Sequence, residues 1–312
     1  MSDKLSIRQG YGDGLLELAS EHGDVVVLEA DLAHATGTQA FRERYPDRFF
    51  EAGIAEQNMI GMAAGLSHVG YVPFATSFAM FSAGRACEIV RNAVAYSHAN
   101  VKIVGSHSGI TPAGDGGSHQ CIEDIAWMRA IPGMTVLCPC DYYQARVLVQ
   151  KAYAWQGPVY LRTSREPVSD LTSQGGDIQL GKAQILRDGH DICLVATGVM
   201  TSYAMEAAKA LSAEGVSAAV LNIHTIKPLD TRTVADYAAR CGRLLTLEEH
   251  NLCGGLGEAV AAALMGRVCV QFAMAGIEDR FGQSGATAEL FREYDLDTAG
   301  ILRRCHALLA QK

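Results

Sequence analysis

The sequence predicts an α/β protein built as two consecutive α/β domains, and three observations carry that expectation. Short apolar runs alternate with longer segments of helical periodicity along the chain. The composition is that of packed globular α/β proteins, with 49% hydrophobic residues and 32 glycines. A stretch rich in turn formers, EPVSDLTSQGGDIQLG, divides the alternation into two blocks. At 312 residues the chain is long enough for two cores. The expected domains are therefore residues 1–165 and 182–312, with 166–181 as the linker.

The first block opens with an amphipathic segment from Ile7 to Glu21, a turn at Gly23-Asp24 and the apolar strand VVVLEA at Val25 to Ala30. A strand Phe49 to Glu51 feeds a helix from Ala55 to Leu66. Strand Tyr71 to Ala75, helix Met80 to His98 and strand Val101 to Ser106 follow. The block closes with a short helix at Glu123 to Arg129, a strand from Thr135, a helix from Asp141 to Trp155 and the strand PVYLR ending at Arg162. Past the linker come strand ICLVAT from Ile192, helix Met200 to Glu214, strand SAAVLNI, a helix near Thr231 to Arg240, strand RLLTLEE and a helix from Leu256 to Met265. Strands that alternate with helices make parallel sheets, and open parallel sheets bind ligands beyond the carboxyl ends of their strands. Asp31 falls at one such end.

Composition excludes several classes of function. A formal net charge of −8 with no basic stripe argues against a nucleic-acid or anionic-membrane partner. No run approaches the ~20 apolar residues of a membrane span, and MSDKLSIRQG has no signal-peptide core, so a cytoplasmic protein is expected. Among nine cysteines the only close pair is Cys138 and Cys140, in C-P-C, and no C-x-x-C occurs. Reduced thiols are therefore expected rather than disulfides or zinc.

Residues 49–66, FFEAGIAEQNMIGMAAGL, are the stretch around which the chain is organised. Gly53 permits a sharp turn from strand to helix, and Glu56 falls in the first helical turn with Ile54 and Met59 as apolar neighbours. The helix dipole favours its ionised form and desolvation its neutral form, the condition of a proton-sharing catalyst. The plainer reading is a glutamate that satisfies a free helical N–H. In TSFAMF, Phe78 and Phe81 stand three apart, so both rings can share one face of an opening helix, as a ligand platform or as core packing. The loop GSHSGITPAGDGGSHQ, residues 105–120, joins five glycines to His107, Asp115 and His119. So long a glycine-rich connection is expected to line a site, with imidazoles and a carboxylate that grip hydroxyls and move protons near neutral pH. Its spacing matches no standard zinc pattern. His250, after two glutamates, reads as a packed structural histidine, and no chemistry is assigned to His22, His68, His98, His190, His224 or His306.

GIAEQNM, TSF followed by Phe81, and H-x7-D-x3-H ending in SHQ stand in the order and spacing of the pyrimidine-binding domain of transketolases, and the chain resembles that family over its whole length. HTIKPLD, LEEHNLCGGLGEA and DRFGQSGATAELFREYDL resemble the transketolase C-terminal domain, which in the family mainly supports assembly. The resemblance implies a transferase that moves a two-carbon ketol unit between sugars on thiamine diphosphate. It assigns Glu56 to the cofactor's N1′ atom, Phe78 and Phe81 to stacking on its aminopyrimidine, Leu32 to apolar support of its bent shape, and Asp31 to the adjacent subunit contact. His119 and Asp115 would hold sugar hydroxyls, while Arg8, His107 and Arg165 match a cluster that holds the sugar's terminal phosphate. Glu56, His119 and His107 are the expected catalytic residues. One position departs from the family pattern. Ala35 replaces a phosphate-binding serine, so the anion is bound differently or is not a phosphate, and Thr36 or Thr38 are candidates to supply the hydroxyl.

A complete transketolase also carries a domain that binds the diphosphate through Mg²⁺ or Ca²⁺ with a GDG motif and a later asparagine-containing run. Here Gly12-Asp13-Gly14 lies in a helical pattern, Gly114-Asp115-Gly116 lies in the substrate loop, and neither has such a sequel. The expectation is half an enzyme, the C-terminal subunit of a split transketolase. Its partner would hold the metal, cofactor would bind across the interface of an α2β2 assembly, and the substrate would be an anionic sugar. The rivals are a 2-oxo acid dehydrogenase β subunit, against which the D-G-G-S-H-Q loop speaks, and a deoxyxylulose phosphate synthase relative. The latter family generally has arginine in place of His107 and Phe81. A non-catalytic assembly subunit is the remaining alternative.

Overall fold

The computed structural model describes residues 4–173 and 178–311, so residues 174–177 of the expected linker lie outside the described part. The first sheet contains β2 (Val25–Glu29), β3 (Phe49–Glu51), β4 (Val72–Phe78), β5 (Lys102–Ser106), β6 (Thr135–Leu137) and β7 (Val159–Arg162), after a short β1 (Leu5–Ser6) that pairs antiparallel with β8 (Pro167–Val168). The second contains β9 (Gln184–Arg187), β10 (Ile192–Ala196), β11 (Ala218–Asn222), β13 (Arg243–Asn251) and β14 (Gln271–Ile277). Between β11 and β13 the chain returns to the first sheet. There β12 (Thr225–Lys227) adds to the β6 edge, giving seven strands in the order β12-β6-β7-β5-β4-β2-β3. All pairings in that sheet are parallel except β12 with β6.

Helices cover the sheets as crossovers between parallel neighbours. They are α1 (Ile7–Glu21), α2 (Ala33–Thr36), α3 (Gln39–Arg44), α4 (Glu56–His68), α5 (Cys87–Ile89), α6 (Asp124–Ala130) and α7 (Tyr142–Ala154) in the first half. The second half has α8 (Met200–Ala213), α9 (Thr231–Cys241), α10 (Leu256–Leu264), α11 (Thr287–Glu293) and α12 (Thr298–Leu309). Strands β2, β4 and β5 are buried along their whole length, as a sheet covered on both faces requires. No described helix is long and apolar enough to cross a membrane.

Gly12-Asp13-Gly14 serves helix packing. A Cβ at Gly10 would come within 2.2 Å of the Tyr142 carbonyl oxygen, and one at Gly12 within 2.4 Å of that of Gly37, so α1 meets α7 and the α2 loop at backbone distance. Asp13 meanwhile accepts the Tyr142 hydroxyl at 2.7 Å.

Three local departures from expectation matter. Strand β4 runs on to Phe78, so Phe78 ends a strand and does not share a helix face with Phe81; the β-branched Thr76 and buried Ser77 extend the ladder against β5. The helix after it contains π turns at Met80–Arg85 and Val90–Tyr96 on either side of α5. Strand β14 escapes a reading by pattern because QFAMAGI has one β-branched residue, and β12 escapes because it is three residues long.

Candidate functional site

The carboxyl ends of β2, β3, β4, β5 and β7 all open on one edge of the first sheet, because these strands are parallel. That edge gathers Asp31, Gly53, Phe78, His107 and Arg165 from distant segments. The backbone is bent sharply there. Gly53 has φ +68°, and the non-glycine residues Asp31 and His107 are left-handed at +63° and +55°, conformations that cluster at functional sites. Asp31 is held by its own N–H, which donates to Glu51 Oε1 at 2.8 Å, and the Gly53 N–H shares that oxygen at 3.0 Å. Glu51 thus buckles two strand ends together, a role the sequence did not reveal.

Glu56 opens α4 and is 2% exposed. Its Oε2 accepts from Arg85 Nη1 at 2.8 Å, and among the described residues Oε1 receives no hydrogen bond. The Phe78 and Phe81 rings lie nearly parallel, 10° between planes and 6.1 Å between centroids. Phe78 also stacks on His107 at 4.0 Å, while the His119 imidazole stands edge-on to Phe81 at 5.5 Å and to Phe78 at 6.2 Å. Arg85, 4.7 Å from the Phe81 ring centroid, links the carboxylate to the aromatic pair, and a buried carboxylate with a free oxygen together with such rings suits a flat heterocycle with a ring nitrogen that shares a proton.

The anion cluster is assembled by topology. Pairing of β1 with β8 brings the start of α1 to the end of β7, where the Arg8 N–H donates to the Ser164 carbonyl at 3.2 Å. Arg8 Nη1 donates to the Ala35 carbonyl at 2.6 Å and to His107 Nε2 at 3.4 Å. With Nε2 accepting, Nδ1–H donates to Ser106 Oγ at 2.9 Å. Burial, followed by the charges of Arg8 and Arg165, lowers His107 to about 3. In this chain His107 is therefore held as a neutral imidazole at pH 7, able to accept at Nε2 and donate at Nδ1. Arg165 is exposed, with Nη1 3.9 Å from Asp115 Oδ2, so Asp115 also balances the cluster's charge. His119 Nδ1 pairs with Ser118 Oγ at 2.9 Å, leaving Nε2 for another partner.

The threonines do not replace the missing serine. Thr36 Oγ1 donates to Glu29 Oε1, and Thr38 Oγ1 donates to the same oxygen at 2.8 Å, so both hydroxyls are committed to a buried carboxylate. At Ala35 it is the carbonyl, through Arg8, that participates. Leu32 caps α2 next to Asp31 without a side-chain bond. His250 is packed as expected: Nδ1 donates to the Asn251 carbonyl at 2.6 Å, Nε2 accepts the Ala126 N–H at 3.4 Å, and burial lowers it to about 4. Arg85, Glu29 and Gln120 were missed, because an arginine in a helical run, a glutamate ending a strand and a glutamine after histidine carry no spacing signal.

Residues 3–169 match the family described as transketolase, pyrimidine binding domain, and residues 181–301 match transketolase, C-terminal domain. The fold is thus that of the pyrimidine side of a thiamine diphosphate enzyme. The 6-deoxy-6-sulfo-D-fructose transketolase subunit of Clostridium sp. (strain MSTE9) is 41% identical over 306 residues, 98% of this chain and 95% of that protein. One subunit of the apulose-4-phosphate transketolase of Phocaeicola vulgatus is 36% identical over 303 residues, 97% of each. A solved structure described as a split gene transketolase, an inactive beta4 tetramer, superposes with TM-score 0.91 at 42% identity and covers 98% of both chains. The chain belongs to the transketolase family, in its split form.

Proposed function

We propose that this chain supplies the pyrimidine side of a two-chain transketolase. In this reading it transfers a two-carbon ketol unit from an anionic ketose to an aldose, with a partner chain that holds the diphosphate and its Mg²⁺ or Ca²⁺. The proposed division is residues 1–165 for the pyrimidine-binding domain and 182–312 for the C-terminal domain, with cofactor bound across the interface of an α2β2 assembly. The observation that carries the reading is the buried Glu56 carboxylate, one oxygen free, joined through Arg85 to the Phe81 face that lies parallel to Phe78.

Thiamine diphosphate supplies the nucleophilic carbon and the electron sink of ketol transfer when bound. Apart from the diphosphate and metal held by the partner, this chain's residues bind, orient and move protons. Glu56 Oε1 holds a proton against the ring nitrogen in a site where burial strengthens the bond. Phe78 and Phe81 fix the ring plane, and Leu32 and Asp31 are assigned to the adjoining support and subunit contact. His119 Nε2 and the Asp115 carboxylate orient the sugar hydroxyls, and His119 can take or give a proton to one of them. Arg8 and Arg165 form a two-guanidinium clamp for the terminal anion, completed by the neutral His107 ring. Such a clamp accepts a sulfonate or a phosphate, the two anion types in the names of the relatives.

The test is ketol transfer by this chain co-expressed with its genomic neighbour, with thiamine diphosphate, Mg²⁺ and a panel of phosphorylated and sulfonated ketoses. Transfer that needs both chains, and that Glu56→Ala abolishes while the complex still forms, is the expected result. Transfer by Glu56→Ala at the wild-type rate, or CO₂ release from a 2-oxo acid without sugar transfer, sinks the reading.

A further inference from the structure

The loop that carries Asp115 and His119 is gripped from outside by the second half of the chain, and Gln120 closes the grip. Gln120 is buried, and its single amide group reaches several carbonyls. Nε2 lies 2.9 Å from the Gln283 oxygen, 3.2 Å from that of Ala113 and 3.4 Å from that of Ile110. One side chain therefore ties the start of the loop, its middle turn and the segment that precedes α11. Three glycines are closely approached around this bond, one of them by backbone. A Cβ at Gly282 would sit 1.9 Å from Gln120 Oε1, one at Gly117 2.5 Å from the Gly282 carbonyl oxygen, and one at Gly116 2.6 Å from Ser284 Oγ. Gln120 Oε1 is itself buried without a hydrogen-bond partner among the described residues, and a methyl group at Gly282 would also come within 3.0 and 3.1 Å of Gln120 Cδ and Cβ, closer than packed interiors accept without a shift.

The grip reaches the site over a short path. The N–H groups of His119 and Gln120 donate to the same Gly116 carbonyl, each at 3.0 Å, so the turn that holds Gln120 also sets the base of the His119 side chain. At the other end of the loop, the Ile110 N–H donates to Glu249 Oε2 at 3.3 Å, and a Cβ at Gly109 would meet that carboxylate at 2.2 Å. A loop with five glycines between residues 105 and 120 has little stiffness of its own. Besides the bonds of Ser108 and Thr111 to Thr163 and Ser164 at the end of β7, it is held by Glu249 and by residues 282–284 of the second half.

We propose that Gln120, locked against Gly282 and Gln283, is a positioning residue for the sugar, through which the C-terminal half of the chain sets His119 and Asp115 relative to the stacked phenylalanines. The proposal rests on the ketol-transfer reading above and gives the C-terminal half a part in substrate recognition beyond assembly. A misplacement of 1 Å in a positioning group costs on the order of 10²-fold in rate, so a clash at this bond has a measurable effect on sugar use. Cofactor contacts through Glu56, Phe78 and Phe81 lie on other segments and are left in place.

The test uses Gly282→Ala, Gln120→Ala and the double variant, each purified with its co-expressed partner. For Gly282→Ala the expected result is a KM for the ketose donor raised by ~10-fold or more, with thiamine diphosphate affinity by calorimetry unchanged within about twofold. Hydrogen exchange of the His119 and Gln120 amides in the full chain rises by ~10-fold or more. The double variant is close to Gln120→Ala, because the amide that makes the severe 1.9 Å approach is gone and only the 3.1 Å approach of Cβ remains. Unchanged exchange at His119 with unchanged KM overturns the proposal. So does a parallel loss of cofactor affinity, thermal stability and turnover, which is the signature of a merely structural contact, and so does strict additivity in the double variant. If the wild-type complex transfers no ketol unit, the functional reading fails by itself, and the exchange measurement still decides whether Gln120 fixes the loop.

Discussion

Arg85 Nη1 donates to Glu56 Oε2 at 2.8 Å, from a guanidinium that is 48% exposed to a carboxylate that is 2% exposed. The same guanidinium lies 4.7 Å from the Phe81 ring centroid. Arg85 thus covers the carboxylate and the ring face that the functional reading assigns to an aminopyrimidine. The π turn Met80–Arg85 delivers both residues, since it widens the helix between Phe81 and Arg85 at the mouth of the site.

Arg85→Met keeps most of the side chain's bulk and removes its charge. A half-exposed ion pair and a cation–π contact each contribute up to about 1 kcal/mol, so freeing the site of them tightens thiamine diphosphate binding to the two-chain complex by ~3- to 10-fold. Titration calorimetry on both forms checks this. Weaker binding in the variant means that Arg85 stays and supports the cofactor.

Glu29 gives a pH signature. Burial, opposed by the Thr36 and Thr38 hydroxyls and the Ala30 N–H, pushes it up from 4.5 to about 7. Between those values the folded chain retains a proton that the unfolded chain has released. Its stabilising contribution is therefore complete below about pH 4.5 and is lost as pH rises through about 7. Glu29→Gln keeps an acceptor for both threonines but cannot titrate. The variant should gain on the wild type by on the order of 3 kcal/mol between pH 4.5 and 8, read from urea unfolding at several pH values. A difference that does not vary with pH defeats the assignment.

Arg162 is an ionic link between the halves. Nε donates to Asp124 Oδ2 at 2.9 Å, Nη1 to Glu249 Oε1 at 3.4 Å and Nη2 to the Glu249 carbonyl at 3.1 Å, all in buried surroundings. Tyr160 donates to the same Asp124 oxygen at 2.7 Å. Arg162→Met strands two buried carboxylates and is expected to cost about 3–5 kcal/mol in unfolding free energy. Adding Asp124→Asn and Glu249→Gln should restore most of that. A loss below about 1 kcal/mol for Arg162→Met would show that the carboxylates are already neutral or hydrated.

The sequence made the parallel architecture legible because Val25–Glu29, Lys102–Ser106 and Ile192–Ala196 are largely apolar runs between helical segments, and such strands have few other folds. Glu56 and the histidine loop stand out in the sequence for a different reason: their motifs compress a turn and a charge into a few residues. What could not be read was pairing across long separations. Nothing local tells that Thr36 and Thr38 commit their hydroxyls to Glu29, that Arg85 turns back to Glu56, or that Gln120 meets Gln283. The state of His107 was hidden likewise, because its neutral form follows from the burial and the two guanidinium groups that the fold brings to it.

Strand β12 pairs with β6 through Thr225 and Leu137 and through Lys227 and Val136, and the Lys227 ammonium reaches back to the carbonyls of Arg129 and Ile131 at 2.8 and 2.6 Å. During synthesis, therefore, the first sheet leaves the ribosome one strand short. Its β6 edge stays open until the polypeptide has passed through β9, β10 and β11, and an open edge pairs with whatever strand arrives first. The nascent chain must hold or shield that edge while most of the second sheet is being translated, and a gene cut at the turn-rich stretch would leave it permanently uncovered.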